Sequence, residues 1–243
     1  MANKLDWSKF SDKFHTSWHS QMKEIIESPE VYEIYQKLKE DGQKYKTTPD
    51  SQNVFKAFEI DLNKINVILM GMSPYPQVIL GMKKASGLAF DCSQYGKISP
   101  SLEKLYDAME DDCYNGLALE RDKKEKSLQY LVNQGVMLCN AGLTCIKDRP
   151  DSHIELWKPF WKQVFEKILF VKPSIFILMG KAAQELEQYT DPFIHRIYKC
   201  EHPVAASYAS RKMEHNHVFS KAAKDLKAMN NIDLEWLDSE VPF

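Results

Sequence analysis

Four short stretches carry residue types that can act together chemically. "MGMSPYPQ" (residues 70–77) sets Ser73 and Tyr75 among Gly71 and two prolines, "SGLAFD" holds Phe90, "LCNAGLTC" holds Asn140 and "CEHPVAAS" holds His202. Pro74 and Pro76 fix φ while glycine permits close backbone approach, so the first stretch reads as a preorganised loop. Singly, each residue has an ordinary explanation: a phenylalanine in a core, an asparagine in a turn, a histidine in a structural contact. Together, an aromatic face, an amide with both donor and acceptor, and a histidine compose a pocket for a planar polar ring.

The elements around these residues must bring them to one place. "INVILM", "GLAF", "GVMLCN" and "SIFILMG" read as short apolar strands, and residues 99–110, 153–170, 180–188 and 215–229 carry helical spacing. Strands alternating with helices predict an α/β fold: a mostly parallel, four-stranded sheet with helices on both faces. In such sheets ligands collect beyond the carboxyl ends of the strands, which is where the four stretches fall. Before residue 45, "WSKFSDKFHTSWHSQMKEIIES" and a second segment opening at Pro29 and stopping at Gly42 read as two helices. The whole of 1–243 reads as one domain with this helical region at its start. The run "RDKKEK" (121–126) reads as a solvated helix start.

Composition narrows the function. The chain has 243 residues, 44% apolar and 27% charged, with a net charge of −2, so a polyanion partner would have to meet a local patch rather than a basic face. Five cysteines without a C-x-x-C pair suggest reduced thiols and neither a disulfide framework nor a metal site. "MANKLDWSKF" lacks the apolar core of a signal peptide, and no stretch approaches the roughly 20 apolar residues of a membrane span. A soluble intracellular protein is expected, not a secreted one, with no membrane partner, and monomeric.

"VILMGMSPYPQ", "SGLAF", "SPSLEKLYDAME", "QGVMLCNAGLT" and "HPVAASYASRKMEHNHVFSKAAKDL" occur in the order and at the spacing of the motifs of family 1 uracil-DNA glycosylases, which the chain resembles from about residue 45 to 237. That resemblance implies base excision from DNA without a metal or organic cofactor, in a cytoplasmic or other DNA-containing compartment. An enzyme of this kind flips its base out of the stack. Phe90 would stack on the base, Asn140 would read its N3 and O4 edge, Tyr75 would stand against C5 and exclude a methyl, and Met72 would offer a backbone N–H. His202 would donate to O2 as charge gathers on the departing base. Ser99, Ser101 and Ser207 correspond to serines that clamp DNA phosphates, and Lys83, Lys84, Lys147, Arg149, Arg211 and Lys212 are candidates for the positive patch.

The departures matter as much. Ser73 stands where the family has the aspartate that orients water and favours the sugar cation, and serine is neither charged nor a base near neutral pH. Pro76 replaces the motif's histidine. Ala206 occupies the position of a wedging leucine, leaving Tyr208 or Met213 as substitutes, or a single-stranded substrate that needs little wedging. At Ser73 the sequence leaves four readings open: a weakened uracil glycosylase, an enzyme for another base, a DNA- or protein-binding descendant without catalysis, or an introduced residue.

Overall fold

A computed structural model describes residues 4–114, 126–169 and 173–237. Among the described residues, eight strands run in chain order: β1 (Thr47–Thr48), β2 (Val67–Gly71), β3 (Val78–Ile79), β4 (Met82–Lys83), β5 (Val136–Asn140), β6 (Cys145–Ile146), β7 (Ile175–Met179) and β8 (Arg196–Cys200). The α-helices that accompany them among these residues are α1 (His19–Ile26), α2 (Pro29–Lys44), α3 (Pro100–Cys113), α4 (Gln129–Asn133), α5 (Ile154–Lys167), α6 (Lys181–Gln184), α7 (Pro203–Tyr208) and α8 (Val218–Asn230).

The central sheet has the order β5-β2-β7-β8, and every neighbouring pair is parallel. β2, β5 and β7 are buried along their whole length, as continuous apolar strands covered on both faces must be. Around them pack Trp18, Trp157, Trp161 and Trp236, all fully buried. Helices open where the sequence provides caps: the Ser28 hydroxyl accepts from Val31 N–H ahead of Pro29, and Ser99 accepts from Leu102 N–H ahead of Pro100. Among the described residues no helix is long and apolar enough to cross a membrane.

The parallel four-stranded sheet is the one expected, but one of its strands is not. "GLAF" is a bend, because Gly87 and Phe90 both hold positive φ and a Cβ at Gly87 would sit 2.2 Å from the Asn53 carbonyl oxygen. The fourth strand is β8, whose pattern at the sheet edge is partly exposed and carries Arg196 and Lys199, so it does not show as an apolar run. The first predicted helix divides into three short 3₁₀ turns followed by α1, and α2 continues through Gly42 to Lys44. Of the charge run at 121–126, only Lys126 lies within the described residues.

Two small pairings dress the carboxyl edge of the sheet. β1 pairs antiparallel with β6, and β3 with β4 through a turn at Leu80 and Gly81, where both φ values are positive as a tight two-residue hairpin requires.

Candidate active site

Parallel register aligns the ends of β2 and β5, placing Gly71 opposite Asn140. The chain leaves β2 into residues 72–76, and each of these five residues is held from outside the loop. Gly142 N–H donates to the Met72 carbonyl at 2.8 Å, and Asp148 N–H to that of Pro76 at 3.0 Å. The Cys145 thiol donates to Pro74 O at 3.4 Å, and the Thr48 hydroxyl to Tyr75 O at 3.2 Å. Ser73 donates its hydroxyl proton to Asp151 Oδ1 at 2.7 Å and accepts from Asp151 N–H at 3.2 Å. The loop is stiff by proline geometry and by partners on three segments.

A cavity of about 280 Å³ opens over this loop, lined among others by Met72, Ser73, Tyr75, Phe90, Asn140 and His202. Asn140 is 5% exposed, yet among the described residues its side-chain amide has no hydrogen-bond partner, while its backbone carbonyl accepts from the Trp161 indole at 3.1 Å. Buried amides are almost always satisfied, so an unpartnered one facing a cavity marks a place for a ligand. Phe90 forms the opposing wall, its ring 5.3 Å from that of His202. Gly71 makes the approach possible: a Cβ there would lie 2.7 Å from Asn140 Oδ1 and 3.0 Å from Phe90 Cζ.

Tyr75 donates its hydroxyl proton to Phe90 O at 2.8 Å and lies 2.5 Å from the Ser99 hydroxyl. Its own proton is committed to Phe90, so Ser99 donates to it while accepting from Leu102 N–H. Burial raises the phenol's pKa well above its usual value. Lys84, 9% exposed, rests its ammonium 4.5 Å from the Tyr75 ring centroid, and burial lowers its pKa.

His202 caps α7, its Nδ1 accepting from Val204 N–H at 3.2 Å. That bond leaves the ring's proton on Nε2, so the free edge of the imidazole is a donor. Burial pushes its pKa down to about 4, the neighbouring Glu201 opposing only in part, and the ring is neutral at neutral pH. Behind it, a Cβ at Gly180 would come within 2.8 Å of both His202 Cβ and Met72 Sδ.

The model of the uracil DNA glycosylase superfamily matches residues 59–227, which is most of the chain. The chain belongs to that superfamily. Among solved structures it is similar to mimivirus uracil-DNA glycosylase, at 21% identity and a TM-score of 0.80 over 96% of this chain and 94% of the other. A substituted form of mimivirus UNG in complex with UGI gives 21% identity and 0.80 over 95% and 94%. UNG from Nitratifractor salsuginis follows at 17% identity and 0.61 over 96% and 100%. At such identities these structures speak to the fold.

For a member of the uracil DNA glycosylase superfamily, the remaining site candidates sort by exposure. Ser101 and Ser207 line the cavity mouth, whereas the structure turns Ser99 fully inward as a cap and as Tyr75's partner. Lys83 pairs with Asp50, Arg211 with Glu201 and Glu214, Lys212 with Asp111, and Lys147 with Asp148; Arg149 lies over the Tyr45 ring. Ala206 and Met213 are buried, while Tyr208 is 85% exposed beside the cavity. Sequence reasoning did not single out Asp151. In "KDRPDSH" its aspartates read as turn chemistry, and nothing local announces that the turn folds back onto Ser73.

Proposed function

We propose that the protein is a DNA glycosylase that hydrolyses the bond between deoxyribose and a uracil flipped out of the stack. The observation that carries this reading is the nearly buried, unpartnered amide of Asn140 facing the Phe90 ring across a cavity of about 280 Å³. A uracil in that slot stacks on Phe90 and presents an acceptor and an N–H to the amide, which satisfies both of its ends. Cytosine offers a donor where uracil offers O4 and a bare acceptor where uracil offers N3–H, so an amide set for uracil meets two mismatched polar pairs. Tyr75, fixed by Phe90 O and Ser99, stands as a rigid wall against a substituent at C5.

His202 then serves departure of the base. Its Nε2–H is held by the cap in the donor tautomer, aimed at an oxygen that gains charge as the glycosidic electrons move onto the ring, and that bond strengthens most in the transition state. Ser101 and Ser207 at the mouth meet the flanking phosphates, and Tyr208 fills the vacated stack in place of Ala206.

Single-stranded oligonucleotides carrying uracil, thymine or cytosine, treated with alkali after incubation, test the reading: strand scission is expected at uracil alone. Titration with free uracil locates the slot. Asn140→Ala should weaken binding by about 1–3 kcal/mol, since it leaves polar atoms of the base unpaired. Equal affinity in both proteins would remove Asn140 from the site.

A further inference from the structure

Among the described residues that line the cavity, Asp151 is the sole carboxylate, and it lies against Ser73, the position where the superfamily motif has lost its acid. Asp151 adopts a left-handed φ of 64°, a conformation aspartate tolerates better than most residues. The turn that carries it is anchored on both sides. Its carbonyl accepts the first N–H of α5 from Ile154 at 3.2 Å, and the adjacent Ser152 hydroxyl accepts from Ile146 N–H at 2.8 Å. Asp148, three residues earlier, is tied to Pro76 of the motif loop itself.

The contact between Asp151 and Ser73 is reciprocal. Ser73 gives its proton to Oδ1 at 2.7 Å and receives the Asp151 N–H at 3.2 Å, so the hydroxyl has no proton left for a water but keeps one lone pair. Oδ2 of Asp151 has no hydrogen-bond partner among the described residues. We propose that Asp151 is the catalytic carboxylate of this protein, its charge delivered from the turn before α5 and coupled through Ser73 to the place where the superfamily's motif carries its own aspartate. The inference rests on the glycosylase reading of the same cavity.

The chemistry balances as a hydrolysis. The C1′–N1 bond breaks and its electron pair leaves with uracil, while the Asp151 charge favours the cationic sugar left behind. A water oxygen then bonds to C1′. One of its protons passes to the Ser73 oxygen as the serine's own proton moves to Oδ1, and the carboxyl returns that proton to solvent. The uracil anion takes a proton from solvent. Serine acts here as a relay, which a hydroxyl without a carboxylate behind it cannot do near neutral pH.

Four proteins decide the matter: the parent, Asp151→Asn, Ser73→Asp and the double variant. Asparagine keeps the acceptor for Ser73 and removes only the charge. Two readouts are needed, single-turnover uracil release and affinity for a single-stranded oligonucleotide bearing a cationic pyrrolidine in place of the sugar, relative to one bearing a neutral tetrahydrofuran, both with free uracil present. Asp151→Asn is expected to slow release by roughly 10–10³-fold and to abolish a preference for the cation, with affinity for the neutral analogue unchanged as the control for folding. Ser73→Asp should restore both on the Asp151→Asn background and should raise release far less on the parent. There the new carboxylate stands beside one that already supplies the charge, so it adds like-charge repulsion and little function. Unchanged cation preference in Asp151→Asn, or an equal gain from Ser73→Asp on both backgrounds, overturns the proposal. A parent that prefers the cation through Asp151 yet releases no uracil would sink the uracil reading and leave the carboxylate assignment standing.

Discussion

The backbone N–H of Val204 decides what His202 can do. By donating to Nδ1 it assigns the imidazole proton to Nε2, and burial keeps the ring neutral down to about pH 4. A neutral donor suits a base leaving as an anion, because it adds no charge that would have to be desolvated beforehand. His202→Ala should therefore slow excision by at least about a hundredfold while DNA affinity stays nearly intact, as single-turnover cleavage and a binding assay on one oligonucleotide would show. The same shift has a stability consequence. With a folded pKa near 4 and an ordinary one of 6.5, the unfolded chain binds more protons between these values, so stability falls as pH drops through that window. Urea midpoints at pH 7 and 4.5 should fall further for the parent than for His202→Asn; equal falls would show that the ring titrates normally. His202, Asn140, Phe90 and Tyr75 were legible in the sequence because their chemistry is inseparable from residue type. Asp151 was not, since its relevance rests on a contact across 78 positions.

At the level of elements, the site depends on strands ending in register and on what the last residue of β2 lacks. Gly71 needs no positive φ, so alanine is compatible with its backbone, but the new methyl would press on Asn140 Oδ1 at 2.7 Å and Phe90 Cζ at 3.0 Å. The amide is the softer neighbour and would turn away from its reading position. Gly71→Ala is thus expected to weaken uracil binding by at least about tenfold, roughly 1.4 kcal/mol, with a smaller change in thermal unfolding. Undiminished binding would mean that the amide does not read the base from its present rotamer. The buried strands β2, β5 and β7 announced themselves as apolar runs. The edge strand β8 did not, because one flank of an edge strand meets solvent and its sequence mixes Arg196 and Lys199 with Ile197 and Tyr198. "GLAF" imitated a strand in composition alone; its positive φ at Phe90 aims the ring into the cavity, a demand that hydrophobic periodicity cannot express.

Across the whole molecule, the sheet order β5-β2-β7-β8 takes the chain from β2 to β5 on one side and then to β7 and β8 on the other, and the cavity lies beyond the carboxyl end of β2 at this reversal, the usual place for a ligand in an open parallel sheet. Charge is distributed less generously than geometry. The net charge of −2 requires any DNA-binding patch to be local, and the structure shows most of its candidate cations already engaged. Lys83, Arg211, Lys212 and Lys147 each have a carboxylate within 4 Å, and Lys84 is buried over Tyr75. Exposed ion pairs of this kind are weak and open readily, but the carboxylate stays beside an incoming phosphate and offsets much of its attraction. Serine hydroxyls and backbone N–H groups at the cavity mouth must then carry the phosphate contacts, and these release few counterions. Affinity for a single-stranded uracil oligonucleotide should accordingly fall only gently with salt, log K against log[salt] having a slope of about −1 to −2, as if roughly two phosphates were neutralised. Fluorescence anisotropy across a salt series measures the slope directly. Charge removal by Glu201→Gln, which frees Arg211 from its strongest partner, should steepen it by nearly one unit, whereas a parent slope beyond about −4 would show that the ion pairs dissolve on binding and that the basic residues are the true phosphate clamp.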